Sequence, residues 1–223
     1  MKLVAIETAE SPGTLAALQS SAGGEPSLVA HSLPADQRTA QSLAVGIRKL
    51  LGEVGWATNA IDAVAVTTGP GSFTGLRLGV TAAKTLAYAA GAVCVPINTL
   101  AVLAAQATAT RGWAVLDAQR RELFAAEFVD HKLGGEPAIV PEDAWIAGLK
   151  EGDYVVGPIL SRLADRLPDG VQVATESAWR PLAETVAGLA IEAFGAGRTV
   201  SPMQLTPNYY RLSAAEEKLQ AKE

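Results

Sequence analysis

Apolar residues first appear as a short unbroken run over residues 2–8 (Lys-Leu-Val-Ala-Ile-Glu-Thr), which predicts a buried strand. Ser11, Pro12 and Gly13 supply turn chemistry, and residues 14–19 read as a second strand. A loop over residues 20–26 leads to a third strand at 27–33. The period then changes: Leu43, Ile47, Leu50, Leu51 and Val54 fall on one face of a helix. Residues 61–67 are strand again, followed by a glycine-rich turn and a long helix from 74 to 90. Residues 93–97 form another strand, and Asn98 stands as N-cap for a helix through 108.

A second half begins near Gly112. Residues 113–118 and 122–129 read as a strand pair joined by the polar turn Gln119-Arg120-Arg121. A helix at 142–149, a strand at 154–156, a helix at 159–167 and a strand at 171–175 follow. Pro181 suits the first turn of a last long helix, which runs to Phe194 and is stopped by Gly195 and Gly197. Residues 213–223 read as a frayed, charged tail. Three meandering strands, then helix–strand alternation, then a reduced version of the same order predict an α/β protein. Its plan is two adjoining ribonuclease-H-like lobes, as in the actin and sugar-kinase superfamily, with mixed sheets flanked by helices. The expected boundaries are 1–110 for the first lobe, with 200–223 returning to it, and 111–199 for the second.

Composition adds limits. With 223 residues and 49% apolar content the chain can bury a sizeable core without disulfide or metal. Aromatics are only 5% and charged residues 18%, so small residues carry the packing. The single cysteine, Cys94, lies in an apolar run and reads as a buried core thiol, consistent with a reducing cytosol. No stretch has the length of a membrane helix, and the first residues lack signal-peptide anatomy, so a cytoplasmic protein is expected. The net charge of −5 and the lack of a basic cluster imply that any RNA is held mainly by something else.

The most informative stretch is residues 67–79, Thr-Thr-Gly-Pro-Gly-Ser-Phe-Thr-Gly-Leu-Arg-Leu-Gly. It reads as a strand, a tight turn and a helix start, with Ser72 or Thr74 as cap. A helix N-terminus after such a turn is a possible anion site, yet neither the Walker pattern nor the dinucleotide glycine pattern is present. Along the helix, Gly75, Gly79, Ala83 and Ala87 recur every fourth residue and make a stripe almost free of side chains. Glycine inside a helix costs about 1 kcal/mol relative to alanine, so the stripe calls for close approach of a neighbour. That neighbour belongs either to the same chain or to another subunit.

The string from Gly69 to Gly79, followed by Ala-Lys-Thr-Leu-Ala, closely resembles the signature of the TsaB (YeaZ) family. Residues 3–8 resemble that family's opening strand, and 115–128 its Asp-Ala-Arg-x-x-Glu-Val-Tyr hairpin. Residues 190–210 resemble its last helix and the Pro-x-Tyr-Leu-Arg segment, here Pro207-Asn208-Tyr209-Tyr210-Arg211. Glu7 replaces the family's usual Asp, Gln119 stands where Arg is common, and the family's histidine ahead of the first helix has no clear match, since Arg38 and Thr39 fall in that region. The first departure bears on the carboxylate that serves the phosphate-and-metal site of nucleotide-binding actin-like proteins. The resemblance implies a non-catalytic subunit in the machinery that forms threonylcarbamoyladenosine beside the anticodon of ANN-decoding tRNAs. It would form a heterodimer with a TsaD-type transferase, joined by a TsaE-type ATPase, and tRNA would be met only through the complex. A homodimer through the same surface is the alternative assembly, and a nucleotide at the subunit junction is left open. The expected partner interface is Ser72, Phe73, Thr74, Gly75, Arg77, Gly79, Ala83, Lys84 and Ala87, with Arg77 and Lys84 facing acidic groups.

No catalytic set accompanies the signature. His31 and His131 are the only histidines, too far apart in sequence to make the helical pair a metalloenzyme of this superfamily would use. No Ser or Cys has a recognisable base. Asp117 and Glu122 flank the second hairpin turn and read as turn charges. Neither a catalytic residue nor a resident cofactor or metal is expected. The remaining alternatives are a free-standing actin-like kinase or ATPase and, more remotely, a glycoprotease-like peptidase.

Overall fold

The computed structural model describes residues 1–21 and 24–211. The expected tail at 213–223 and part of the loop at 20–26 therefore lie outside the described residues.

The first half forms β1 (Lys2–Glu7), β2 (Thr14–Gln19), β3 (Ser27–Ser32), α1 (Thr39–Glu53), β4 (Ala63–Gly69), α2 (Phe73–Ala90), β5 (Val93–Asn98) and α3 (Thr99–Gln106). The second half forms β6 (Arg111–Asp117), β7 (Glu122–Val129), β8 (Lys132–Leu133), β9 (Ala138–Pro141), α4 (Glu142–Gly148), β10 (Tyr154–Val156), α5 (Leu160–Leu163), β11 (Gln172–Val173) and α6 (Ala183–Gly195). The first sheet runs β3-β2-β1-β4-β5; β1 and β2 pair antiparallel, whereas β4 lies parallel to both β1 and β5. The second runs β11-β10-β6-β7-β8, with β9 also on β7. Two mixed sheets flanked by helices are the expected fold class.

Period-two alternation sorts each strand's side chains into two layers. In the first sheet Val4, Ile6, Leu15, Val64 and Val66 face α1 and α2. Leu3, Ala5, Ala16, Ala63 and Ala65 face the opposite way, against Val102 of α3 and the stripe Ala183, Val186, Ala187, Ala190 and Ala193 of α6. Helix α6, expected in the second lobe, thus covers the first sheet, so the boundary at 199 is corrected. Its start is held there by bonds from Leu182 N–H to Gln106 Oε1 (2.9 Å) and from Ala183 N–H to Thr14 Oγ1 (2.8 Å). Pro181, expected in the first turn of this helix, lies just before its N-cap Leu182, and the helix begins at Ala183. In the second sheet Ala114, Leu116, Ala126 and Phe128 pack on Leu100, Leu103 and Ala104 of α3, while Val115, Leu123 and Val155 pack on α4 and α5. Helix α3 is therefore shared by both lobes.

The caps follow local chemistry. Ser72 Oγ accepts from Gly75 N–H (3.2 Å) at the start of α2, Gly91 ends that helix at φ 69°, and Asn98 Oδ1 accepts from Leu100 N–H (2.8 Å). The helix expected at 159–167 is one short α-turn followed by a 3-10 turn at Ala164–Arg166.

Candidate functional site: the cleft between the lobes

The two sheets leave between them a cleft of about 820 Å³, in the size range of ligand pockets. Its walls are the β1–β2 turn, the signature turn with the start of α2, the tip of the β6–β7 hairpin, and the segment from Asn208 to Arg211.

Glu7 closes β1 and is fully buried. Its side chain folds back on its own turn: Oε1 accepts from Ala9 N–H (2.6 Å), Glu10 N–H (3.3 Å) and the Thr67 hydroxyl (3.4 Å), while Oε2 has no hydrogen-bond partner among the described residues. Burial pushes this carboxyl well above the usual range against the pull of the Ala9 N–H, and the Glu10 charge adds to the rise. Glu7 lies beneath the cleft, not in its lining. Glu10 is half-buried and does line it. Burial raises its pKa to about 7; the positive charge of Arg180 opposes this, and Asp117 on the facing hairpin adds to it.

The signature turn is pressed against this wall. Gly71 sits at φ 152°, and a Cβ there would come closer than 3.0 Å to Ala9. Ser72 N–H donates to Ala9 O (2.9 Å), and Gly75 N–H is taken by Ser72 Oγ. Two donors that an anion at this helix start would use are thus engaged within the chain.

The stripe is corrected. Gly75, Gly79, Ala83 and Ala87 are buried against the chain's own first sheet. A Cβ added to Gly75 would fall closer than 3.0 Å to the Thr8 carbonyl oxygen, and one added to Gly79 closer than 3.0 Å to Thr8 Oγ1. The small residues let α2 lie down on the end of β1, so they are not available as a partner surface. The rest of the expected set lies outward. Ser72, Phe73, Thr74 and Arg77 are exposed, and the outer face of α2 continues through Thr81, Thr85 and Tyr88. Arg77 and Lys84, expected to meet acidic groups of a partner, are engaged at home. The Arg77 guanidinium lies 4.0 Å from the Phe73 ring centre and its Nε donates to the Tyr209 hydroxyl (3.0 Å), while Lys84 Nζ donates to Leu205 O (3.0 Å).

The facing hairpin holds a feature the sequence does not signal: Gln119, Arg120 and Arg121 all have left-handed φ, between 56° and 63°. Such backbone costs roughly 1–3 kcal/mol per residue unless its surroundings over-determine it. Here they do. Asp117 accepts from Gln119 N–H (2.8 Å) and Gln119 Nε2 (3.3 Å), and Glu142 N–H donates to Arg121 O (2.9 Å). The Glu142 side chain, screened from solvent, is itself paired with Arg162 (2.6 Å) and Arg166.

His31 pairs with Glu53 (2.8 Å) and His131 Nδ1 lies 3.3 Å from Ala104 O, neither of them in the cleft. Among the described residues no group of three or more His, Cys, Asp or Glu is placed to hold a metal. No described helix is long and apolar enough to cross a membrane. Cys94 is buried, and burial pushes its thiol to about 11.

Comparison with known proteins agrees with this architecture. Residues 34–195 match the family model described as TsaD, tRNA N6-adenosine threonylcarbamoyltransferase. The tRNA threonylcarbamoyladenosine biosynthesis protein TsaB of Escherichia coli (strain K12) is 29% identical over 239 aligned positions, covering 100% of both chains. The protein of the same name from Bacillus subtilis (strain 168) is 29% identical over 77% of this chain and 79% of its own. Among solved structures, YeaZ from Pseudomonas aeruginosa superimposes with a TM-score of 0.77 at 26% identity, over 93% of this chain and 99% of that one.

Proposed function

Because this chain belongs to the TsaD family and, within it, to the TsaB (YeaZ) group, we propose that it is a non-catalytic subunit of the machinery that forms N6-threonylcarbamoyladenosine beside the anticodon of ANN-decoding tRNAs. In this reading it holds a TsaD-type transferase in its working form, with a TsaE-type ATPase joining the assembly.

The observation that carries the non-catalytic part is the state of the cleft wall. Glu7, at the position of the superfamily's phosphate-and-metal carboxylate, is folded beneath the surface, and burial favours its neutral form. The signature turn, whose donors would face an anion, spends them on Ala9 and Ser72. A nucleotide, if one takes part, belongs in this reading to the junction between subunits. The docking surface is the outward face of α2 with the neighbouring face of α1, where Val45 and Tyr88 stand 56% and 76% exposed. A tyrosine left as bare as Tyr88 is the kind of anchor a protein interface uses, and Val45 adds apolar surface beside it. A homodimer of the isolated chain would cover the same face. With a net charge of −5, the chain is expected to meet tRNA only through its partners.

The test is reconstitution with purified components. Chain, transferase and ATPase together should modify tRNA, omission of this chain should sharply reduce turnover, and the chain alone should neither modify tRNA nor cleave peptides. Transfer by this chain without a TsaD-type enzyme, or full turnover in its absence, refutes the proposal.

A further inference from the structure

The segment after α6 runs back along the first lobe. Val200 exchanges two backbone hydrogen bonds with Cys94 of β5, both 2.9 Å, and Asn208 N–H donates to Thr68 O (2.7 Å). The Asn208 carbonyl oxygen passes 2.5 Å from where a Cβ on Gly69 would sit, so the signature turn leaves room for this chain and little more. Tyr209 then stacks on Phe73 with ring centres 5.0 Å apart and takes the Arg77 hydrogen bond.

The next two residues reach across. The Tyr210 hydroxyl accepts from Asn98 Nδ2 (3.0 Å) at the end of β5, while its ring meets Phe124 of β7 edge-on at 6.1 Å. Arg211 Nη1 donates to Ala118 O (2.6 Å) at the hairpin tip, and Nη2 pairs with Glu122. Three consecutive residues thus grip the first lobe, both lobes and the second lobe in turn, and all three line the cleft. The covalent crossings between the lobes lie elsewhere, before β6 and before α6. There Gln106 Nε2 donates to Arg180 O (2.7 Å) and the Arg180 guanidinium to Ser11 O (2.9 Å).

We propose that Tyr209, Tyr210 and Arg211 form a clasp that sets the opening between the two lobes, with the crossings as hinge and the clasp across the cleft. Its contacts suit release. The Arg211–Glu122 pair keeps 21% and 33% of its side-chain surface exposed, and as whole residues Phe73 and Tyr209 are 40% and 45% exposed. The ring pair lies at the surface and the ion pair is only part-buried, so no single contact is sealed from water and the clasp holds through all of them together. The first half of the clasp also sits beside the face of α2 proposed for docking, so docking there would bear on the cleft. That last consequence rests on the proposed function; the clasp itself does not.

The experiment measures the distance between the lobes in the full-length chain by pulsed electron spin resonance. Spin labels go on Arg48→Cys and Lys150→Cys, both exposed positions, buried Cys94 is spared, and labelled chain is diluted in unlabelled chain so that only distances within one chain are read. Tyr209→Ala and Arg211→Ala should each lengthen and broaden the distance distribution. The double variant should change it no further than the larger single, because a clasp is open once either arm is lost. Tyr209→Phe keeps the ring on Phe73 and loses only the hydroxyl contact, so it should fall between wild type and Tyr209→Ala. Wild-type distributions in both alanine variants, or shifts that add in the double, overturn the proposal. The measurement uses no partner and no tRNA, so its failure is distinct from failure of the proposed function.

Discussion

Replacing Gly79 by alanine separates the two meanings of the small-residue stripe. The new Cβ would fall closer than 3.0 Å to Thr8 Oγ1, a separation real Cβ atoms essentially never show. Thr8 is 2% exposed and its hydroxyl donates to Gly75 O (2.8 Å), so moving it costs a buried hydrogen bond as well as space. Overpacking typically costs about 1–3 kcal/mol, and the depth of this overlap argues for the upper end. Alanine returns about 1 kcal/mol of helix propensity, leaving a net loss of about 2 kcal/mol. For a chain of this size that is a fall of about 4–8 °C in Tm. Thr8→Ala alone should cost about 1 kcal/mol for the lost hydrogen bond. In that background, however, the obstacle is gone. The next atoms are the Thr8 Cβ and Val66 Cγ2, each at 3.4 Å, the edge of ordinary contact. Gly79→Ala should then stabilise by about 1 kcal/mol, so its sign reverses between the two backgrounds. At Gly75 the obstacle is the Thr8 carbonyl oxygen, and Thr8→Ala should rescue nothing. Urea unfolding of the five variants provides the assay. Equal effects of Gly79→Ala in both backgrounds refute the reasoning, as does a rescue of Gly75→Ala.

Three further outcomes follow from the same geometry. In the unfolded chain Glu10 ionises near its ordinary value of 4.5, and in the fold near 7, so between these the folded state keeps a proton the unfolded state releases. Its contribution to stability is full below about 4.5 and is lost as pH rises through about 7, with buried Glu7 acting in the same direction. Glu10→Gln should therefore flatten the decline of Tm between pH 5 and 8 and melt higher than wild type at pH 8; parallel profiles count against it. Asp117→Asn removes a charge that raises Glu10, so it should move the midpoint of that decline to lower pH, read from the same melts. Asn98→Ala loses the cap of α3 and the bond to Tyr210, and should cost about 1 kcal/mol or more by urea unfolding; an unchanged midpoint would show the cap to be idle.

The strands at Thr14–Gln19, Glu122–Val129 and Tyr154–Val156 are legible to the residue in the sequence, and so is the cap at Asn98, whereas the sequence leaves Ser72 and Thr74 both open as the cap of α2 and the structure selects Ser72. Each depends on interactions within a few positions: alternation, helical spacing, a side-chain oxygen meeting a nearby N–H. The strands Lys132–Leu133 and Ala138–Pro141 escape such reading because they are short and exist only by pairing with β7. The helix α6 is plain in the sequence, but nothing in it says which sheet it will cover. The stripe of Gly75, Gly79, Ala83 and Ala87 likewise announces a close approach without naming the surface approached. That surface, the end of β1, is brought there by the parallel pairing of β1 with β4, more than fifty residues apart. The left-handed run at Gln119, Arg120 and Arg121 and the raised pKa of Glu10 also depend on groups distant in sequence, Glu142 for the first and burial with Asp117 for the second. Periodicity and capping are short-range and are written in order along the chain. Which faces meet, and what charge a carboxyl keeps, depend on desolvation and contacts that exist only once the two lobes have packed.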